Sequence, residues 1–149
     1  MSLDSIAPST VSAPDDWFEY PVQVYPHHTD YGGIVWHGTY LEWMEAARVD
    51  CLRSRGMDYA DLVAQGVELQ VFELALRYHR GVKMGASAIV RTRVASFQGV
   101  RMNWDYEIVS GDRQVLYVSA QVTLVPVDAQ KGKIIRKIPL ILQEIIAKL

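Results

Sequence analysis

The sequence predicts an α+β domain, in which an antiparallel sheet of about five strands curls around one long helix. Three observations lead there. A helix-period run from about Val35 to Arg55 is apolar on more than one face. Four runs of period two follow it, separated by glycines. One further strand-like run precedes it. Long strands joined by hairpin-length connections favour antiparallel pairing, and a sheet with one apolar face needs a helix to cover it.

In chain order, Met1 to Asp16 is rich in Ser, Ala, Pro and Asp without periodicity, and reads as a disordered tail over 1–16. The segment 17–149 is then a single domain. Trp17 to Pro26 alternates around Val22 and Val24 and is strand-like, with Pro21 suiting an edge. Gly32-Gly33 breaks the chain. In the helical run, Tyr40, Met44, Ala47 and Cys51 recur at spacings of three and four, and Gly56 ends it. Trp36, Trp43, Met44 and Val49 spread around this run, which predicts a mostly buried helix. Asp58 caps one or two further turns that stop at Gly66. Val67 to Arg80, Ser87 to Gln98, Val100 to Ser110 and Gln114 to Asp128 are the four later strands. Met102, Trp104, Tyr106 and Ile108 alternate with polar neighbours, the mark of one buried face. Pro139 to Leu149 fits a short amphipathic helix.

Composition narrows the function classes. A chain of 149 residues can bury one real core. The net charge of −2 does not suggest a nucleic-acid partner. No apolar run approaches a membrane span of roughly 20 residues. The N-terminus lacks the pattern of a secretory signal, so a cytoplasmic protein is expected. Cys51 is the single cysteine, which excludes an intramolecular disulfide and a cysteine-based zinc site, and its apolar surroundings predict a buried, inert thiol.

The most informative stretch is His28-Thr29-Asp30-Tyr31-Gly32-Gly33-Ile34-Val35-Trp36-His37. It brings one carboxylate, two glycines and a histidine to the start of the helical run. Helix N-termini carry unpaired N–H groups and a positive dipole end, which suits both a carboxylate and a developing oxyanion. That is the local chemistry of acyl transfer. Asp30 alone also suits a surface turn, since Asp before Gly-Gly is common there. Gly32 and Gly33 serve a turn and equally a close backbone approach.

The run from His28 to Tyr40, followed by Glu45-Ala46-Ala47-Arg48, resembles the hotdog-fold acyl-CoA thioesterases of the 4-hydroxybenzoyl-CoA and YbgC type. Their pattern has two acidic positions before the glycine, and the first is His28 here. The second, which carries catalysis in the family, is Asp30. His37 matches the YbgC branch, while Gly-Ile-Val-Trp with Tyr40 and Trp43 is similar to the aromatic-acyl branch. The resemblance implies a thioester hydrolase with Asp30 as base or nucleophile. Gly33 and the His37 amide belong to its oxyanion site. It implies homodimers, paired into tetramers, with the site between subunits. It implies no cofactor, since coenzyme A enters as part of the acyl-CoA substrate. An aromatic or short-chain acyl group is expected. A 1,4-dihydroxy-2-naphthoyl-CoA thioesterase and a non-catalytic acyl-CoA-binding module are the alternatives. A hydratase usually pairs its Asp with a His about five residues on, whereas Asp30 and His37 are seven apart.

Tyr31, Trp36 and Tyr40 are first of all core or interface residues, and are candidates for an acyl pocket, Tyr31 foremost. Arg101, with Arg91, Lys83 and Arg80, is a candidate for the CoA phosphates. Glu45 and Arg48 fit an i,i+3 ion pair or a contact between subunits. His27, His28, Asp30 and His37 match no zinc spacing, so no metal is expected. His79 reads as a strand-surface residue.

Overall fold

The computed structural model describes Val11 and residues 17–147. The expected tail, apart from Val11, and Lys148 and Leu149 at the other end lie outside the described residues. The elements are β1 (Phe18–Gln23), a 3-10 turn (Pro26–His28), α1 (Thr39–Ser54), α2 (Tyr59–Ala64), β2 (Val67–Tyr78), β3 (Ser87–Gln98), β4 (Arg101–Ser110), β5 (Leu116–Asp128), β6 (Lys133–Ile134) and α3 (Leu140–Ile146). The long strands pair antiparallel in the order β1-β3-β4-β5-β2, with β6 added on β5. The sheet covers α1 on its concave face, the arrangement that the resemblance implied.

Alternation set the sheet. Met102, Trp104, Tyr106 and Ile108 of β4 are all buried, and Val118, Val122 and Leu124 of β5 bury beside them. Bulges at Val71/Glu73 and Val94/Ser96 interrupt the registers of β2 and β3, and bulges strengthen local twist. From α1 the core receives Tyr40, Trp43, Met44, Ala47, Cys51 and Leu52. Fully burying a side chain such as Met44 or Leu52 stabilises by roughly 1.5–3 kcal/mol.

Three expectations need correction. The helix begins at Thr39 rather than near Val35. Ile34 and Val35 are extended instead, bridged to Lys83 and Thr29, and the Val35 N–H donates to the Val82 carbonyl at 2.8 Å. Trp36 therefore precedes the helix and is half exposed, and α1 leaves Leu41, Glu42 and Glu45 exposed. The Glu45–Arg48 pair is absent among the described residues. Arg48 turns inward, 8% exposed, and its Nη1 donates to the Tyr106 hydroxyl at 2.9 Å. Burial raises the Tyr106 pKa, and Arg48 opposes that shift.

Candidate active site

The segment between β1 and α1 folds back on itself. The Trp36 N–H donates to the His28 carbonyl at 2.9 Å, Thr29 bridges Val35, and the Asp30 N–H donates to the Ile34 carbonyl at 2.8 Å. Asp30 begins the reversal. Its Oδ1 accepts the N–H groups of Gly32 at 2.9 Å and of Ile34 at 3.3 Å. Gly33 turns the chain at φ +73°, a conformation that favours glycine. The structure gives Asp30 the turn role and leaves its other oxygen outside that turn. One oxygen holds the turn, while Oδ2 has no partner among the described residues, and Asp30 is exposed.

Beyond the turn lies the entrance of α1. Gly38 is its N-cap, with φ −79° and ψ −23°. Those angles suit any residue, but space does not. A Cβ there would meet the Trp36 ring at 2.1 Å. Trp36 in turn lies against the His37 ring, with centroids 4.7 Å apart. Among the described residues the N–H groups of His37 and Gly38 donate to no protein acceptor. The Gly38 N–H is one of the free donors that a helix start supplies, and the His37 N–H lies one residue before it. The His37 ring itself is exposed and makes no hydrogen bond to Asp30.

His28 pins this entrance. Its Nδ1 accepts the Tyr25 N–H at 3.0 Å, its carbonyl accepts the Thr39 hydroxyl at 3.1 Å, and its ring meets Trp43 edge-on at 5.2 Å. Burial lowers its pKa, helped by His27 and opposed by Glu42. Among the described residues no three His, Cys, Asp or Glu side chains converge as a metal site.

The other candidates separate. Tyr40 is 2% exposed, with its ring beside Trp43 and Tyr78. Burial raises its pKa, a hydrogen bond with the Val82 backbone opposes this, and Tyr78, Tyr117 and Asp30 add to the rise. Tyr31 projects wholly into solvent from the turn. Lys83 and Arg80 are exposed on the segment that pairs with Ile34 and Val35. Arg91 is not available to a phosphate. It is fully buried, its Nη1 3.1 Å from Glu107 and its Nε 3.4 Å from Glu19. Arg101 opens β4, whereas the Gly33–Val35 segment pairs near Val82–Met84, just before β3, where β4 ends. Its guanidinium stacks over Phe72 at 4.4 Å, so one chain does not bring it to Asp30. Two surface grooves of about 330 and 360 Å³ are lined by residues such as Glu73, Arg101 and Asn103, and Cys51, Arg55 and Arg93; neither touches Asp30. His79 is half-buried, with Nε2 2.8 Å from the Ser119 hydroxyl, and Cys51 is buried with its pKa raised by desolvation.

Sequence reasoning missed Gly38 and Tyr78. A glycine at the helix start was a usable signal for the first. Nothing local marks Tyr78, whose hydroxyl donates to the His37 carbonyl from 41 residues away.

Known proteins share the sequence and fold of this chain. A family model described as the thioesterase-like superfamily matches residues 24–149. A Synechocystis protein named "Putative esterase sll0410" is 50% identical over 135 residues, 91% of this chain and 81% of that one. The acyl-CoA thioester hydrolase YbgC of Escherichia coli O6:H1 is 30% identical over 116 residues, 78% of this chain and 86% of that one. The crystal structure of a DHNA-CoA thioesterase from Staphylococcus aureus matches with a TM-score of 0.76 at 27% identity, over 80% of each chain. The sheet wrapped on α1, the Asp30 turn at the helix entrance and a family match along most of the sequence converge: this chain has the hotdog fold and belongs to the thioesterase-like superfamily.

Proposed function

We propose that this thioester hydrolase cleaves an aromatic or short-chain acyl-CoA at the Asp30 turn, giving the free acid and coenzyme A. One observation carries the reading: a carboxylate with one oxygen unpartnered precedes a helix entrance whose His37 and Gly38 amides have no acceptor among the described residues. The thioester carbonyl oxygen would lie toward those amides, and Gly33 leaves backbone room for its approach. With Asp30 as base, Oδ2 takes a proton from water, the hydroxide adds to the carbonyl carbon, and the amides receive the negative charge. The carbon–sulfur bond then breaks and CoA leaves as thiolate. With Asp30 as nucleophile, Oδ2 attacks the carbon itself, the carbon–sulfur bond breaks with CoA leaving as thiolate, and water hydrolyses the resulting anhydride to the free acid and the Asp30 carboxylate. Residues supply all of these groups, so the reading includes no metal and no further cofactor.

The reading also includes a homodimer, paired into a homotetramer and working in the cytoplasm. β2 is an edge strand on which Val71, Phe72 and Leu74 are exposed, and Tyr31 and Trp36 stand open around the turn. Such an edge favours pairing with a second copy, which would close the site. Arg101 would then have to reach the CoA phosphates from the partner, whereas Lys83 and Arg80 lie beside the turn of their own chain. The likeness to a DHNA-CoA thioesterase favours a second, narrower reading, a 1,4-dihydroxy-2-naphthoyl-CoA substrate. Thiol release from a panel of acyl-CoAs tests both. Turnover confined to aromatic or short acyl groups is expected, and no thiol release from any member would refute the reading.

A further inference from the structure

The Tyr78 hydroxyl donates to the His37 carbonyl at 2.9 Å, and its ring packs beside Tyr40 at 5.5 Å between centroids. Tyr78 is 51% exposed, at the end of β2. Water is therefore within reach of its hydroxyl, and the bond is not required to rescue a buried polar group. Its effect falls on the acceptor. The His37 carbonyl and the Gly38 N–H belong to one planar peptide unit. Fixing the oxygen fixes the direction of the N–H on the opposite side. A hydrogen bond accepted by the carbonyl also polarises the unit and makes its N–H a stronger donor. The same short segment is held from two other directions. The Trp36 ring fills the space beside the Gly38 Cα, and the His28 carbonyl accepts both the Trp36 N–H and the Thr39 hydroxyl. These anchors hold the segment in place, while among the described residues Tyr78 alone bonds to the carbonyl of the peptide unit whose N–H has no protein acceptor.

We propose that Tyr78 is a positioning residue for thioester hydrolysis: its hydroxyl orients and polarises the His37–Gly38 peptide, so that the Gly38 amide is aimed at the oxygen of the reacting carbonyl. This rests on the thioesterase reading above. It adds a second donor beside the His37 amide and gives the end of β2 a role in the chemistry. Because the amide acts where charge develops, loss of the hydroxyl lowers kcat rather than raising KM.

The test compares full-length wild type with Tyr78→Phe, using benzoyl-CoA or another acyl-CoA that the wild type turns over. The expected result is a fall in kcat of roughly five- to thirtyfold, the scale of one hydrogen bond. KM stays within about twofold and the melting temperature within a few degrees. In amide NMR spectra the Gly38 N–H signal moves upfield as its peptide loses polarisation. An unchanged kcat, or a loss that follows only a drop in melting temperature, overturns the inference. Should Tyr78→Phe fail to fold, the carbonyl carbon resonance of His37 in the wild type decides: a downfield, hydrogen-bonded value supports the contact and a free value overturns it. A wild type that releases no thiol from any acyl-CoA brings down the thioesterase reading and this inference with it. An active wild type beside an equally active Tyr78→Phe brings down this inference alone.

Discussion

The two edges of the sheet are finished differently. β1 is short, carries Pro21, and is closed by charge. Glu19 receives both Nε and Nη2 of Arg113, at 3.0 and 2.6 Å, and lies 3.4 Å from the buried Arg91. Arg113 holds that fork at φ +62°, unusual for a side chain with a Cβ. Trp17 covers the guanidinium of Arg93 at 4.1 Å. These pairs hold the carboxyl of Glu19 below the usual carboxylate range, Arg113 first among them. β2 has twelve residues and carries a row of exposed apolar side chains. Val71, Phe72, Leu74 and Tyr78 are 41–55% exposed along it. A long apolar edge invites another strand, whereas a short edge with proline and ion pairs resists one. The chain closes one edge internally and leaves the other apolar and exposed, the edge on which the proposed association rests.

The largest effect expected from breaking this contrast is at β2. A charge at Leu74, as in Leu74→Lys, should turn an oligomer into a species near 17 kDa by light scattering and remove most thioester turnover. An unchanged oligomer with unchanged turnover would show that β2 is not the contact. The closed edge should respond in stability instead. Arg91→Ala strips the buried partner from Glu107, and breaking such a pair costs about 3–5 kcal/mol. Denaturant unfolding should reveal that loss while the oligomer persists. A cost below about 1 kcal/mol would mean that the pair contributes no more than a surface bridge does.

The smallest effect is on pH. Burial lowers the pKa of His28, and burial with Arg77 lowers that of His79, opposed by Glu107. The unfolded chain then takes protons first. The contribution of both groups is present above about pH 6.5 and is lost as pH falls toward the folded values. The melting temperature should drop by a few degrees between pH 7.5 and 5.5, and His28→Gln should flatten that slope. A melting temperature that rises on acidification would reverse the sign and the account of His28 with it.

Local pattern carried much of this structure. The alternation of Met102, Trp104, Tyr106 and Ile108 marked the buried face of β4, and the helical spacing from Tyr40 to Cys51 marked the buried stripe of α1. Asp30 and Gly33 stood out because a turn before a helix has a local grammar. What escaped depends on partners distant in sequence. Ile34 and Val35 continue a helical run by composition, yet Lys83 and Val82 hold them extended. Arg48 has an acid three residues away and turns to Tyr106, 58 residues on. Tyr78 is an ordinary strand tyrosine until its hydroxyl meets the His37 carbonyl. Arg91 reads as a free cation on a strand until Glu19 and Glu107 enclose it. Each miss required knowing which strands become neighbours.

The measurement that bears most directly on the account is turnover of Asp30→Asn beside wild type, on the acyl-CoA that the wild type hydrolyses best. Asn keeps an oxygen to accept the Gly32 and Ile34 amides, so the turn and the melting temperature should survive. It cannot take a proton or attack the carbonyl, so kcat should fall by roughly a hundred- to ten-thousandfold. Near-normal turnover in a folded Asp30→Asn protein would contradict the account and leave Asp30 as a turn residue only.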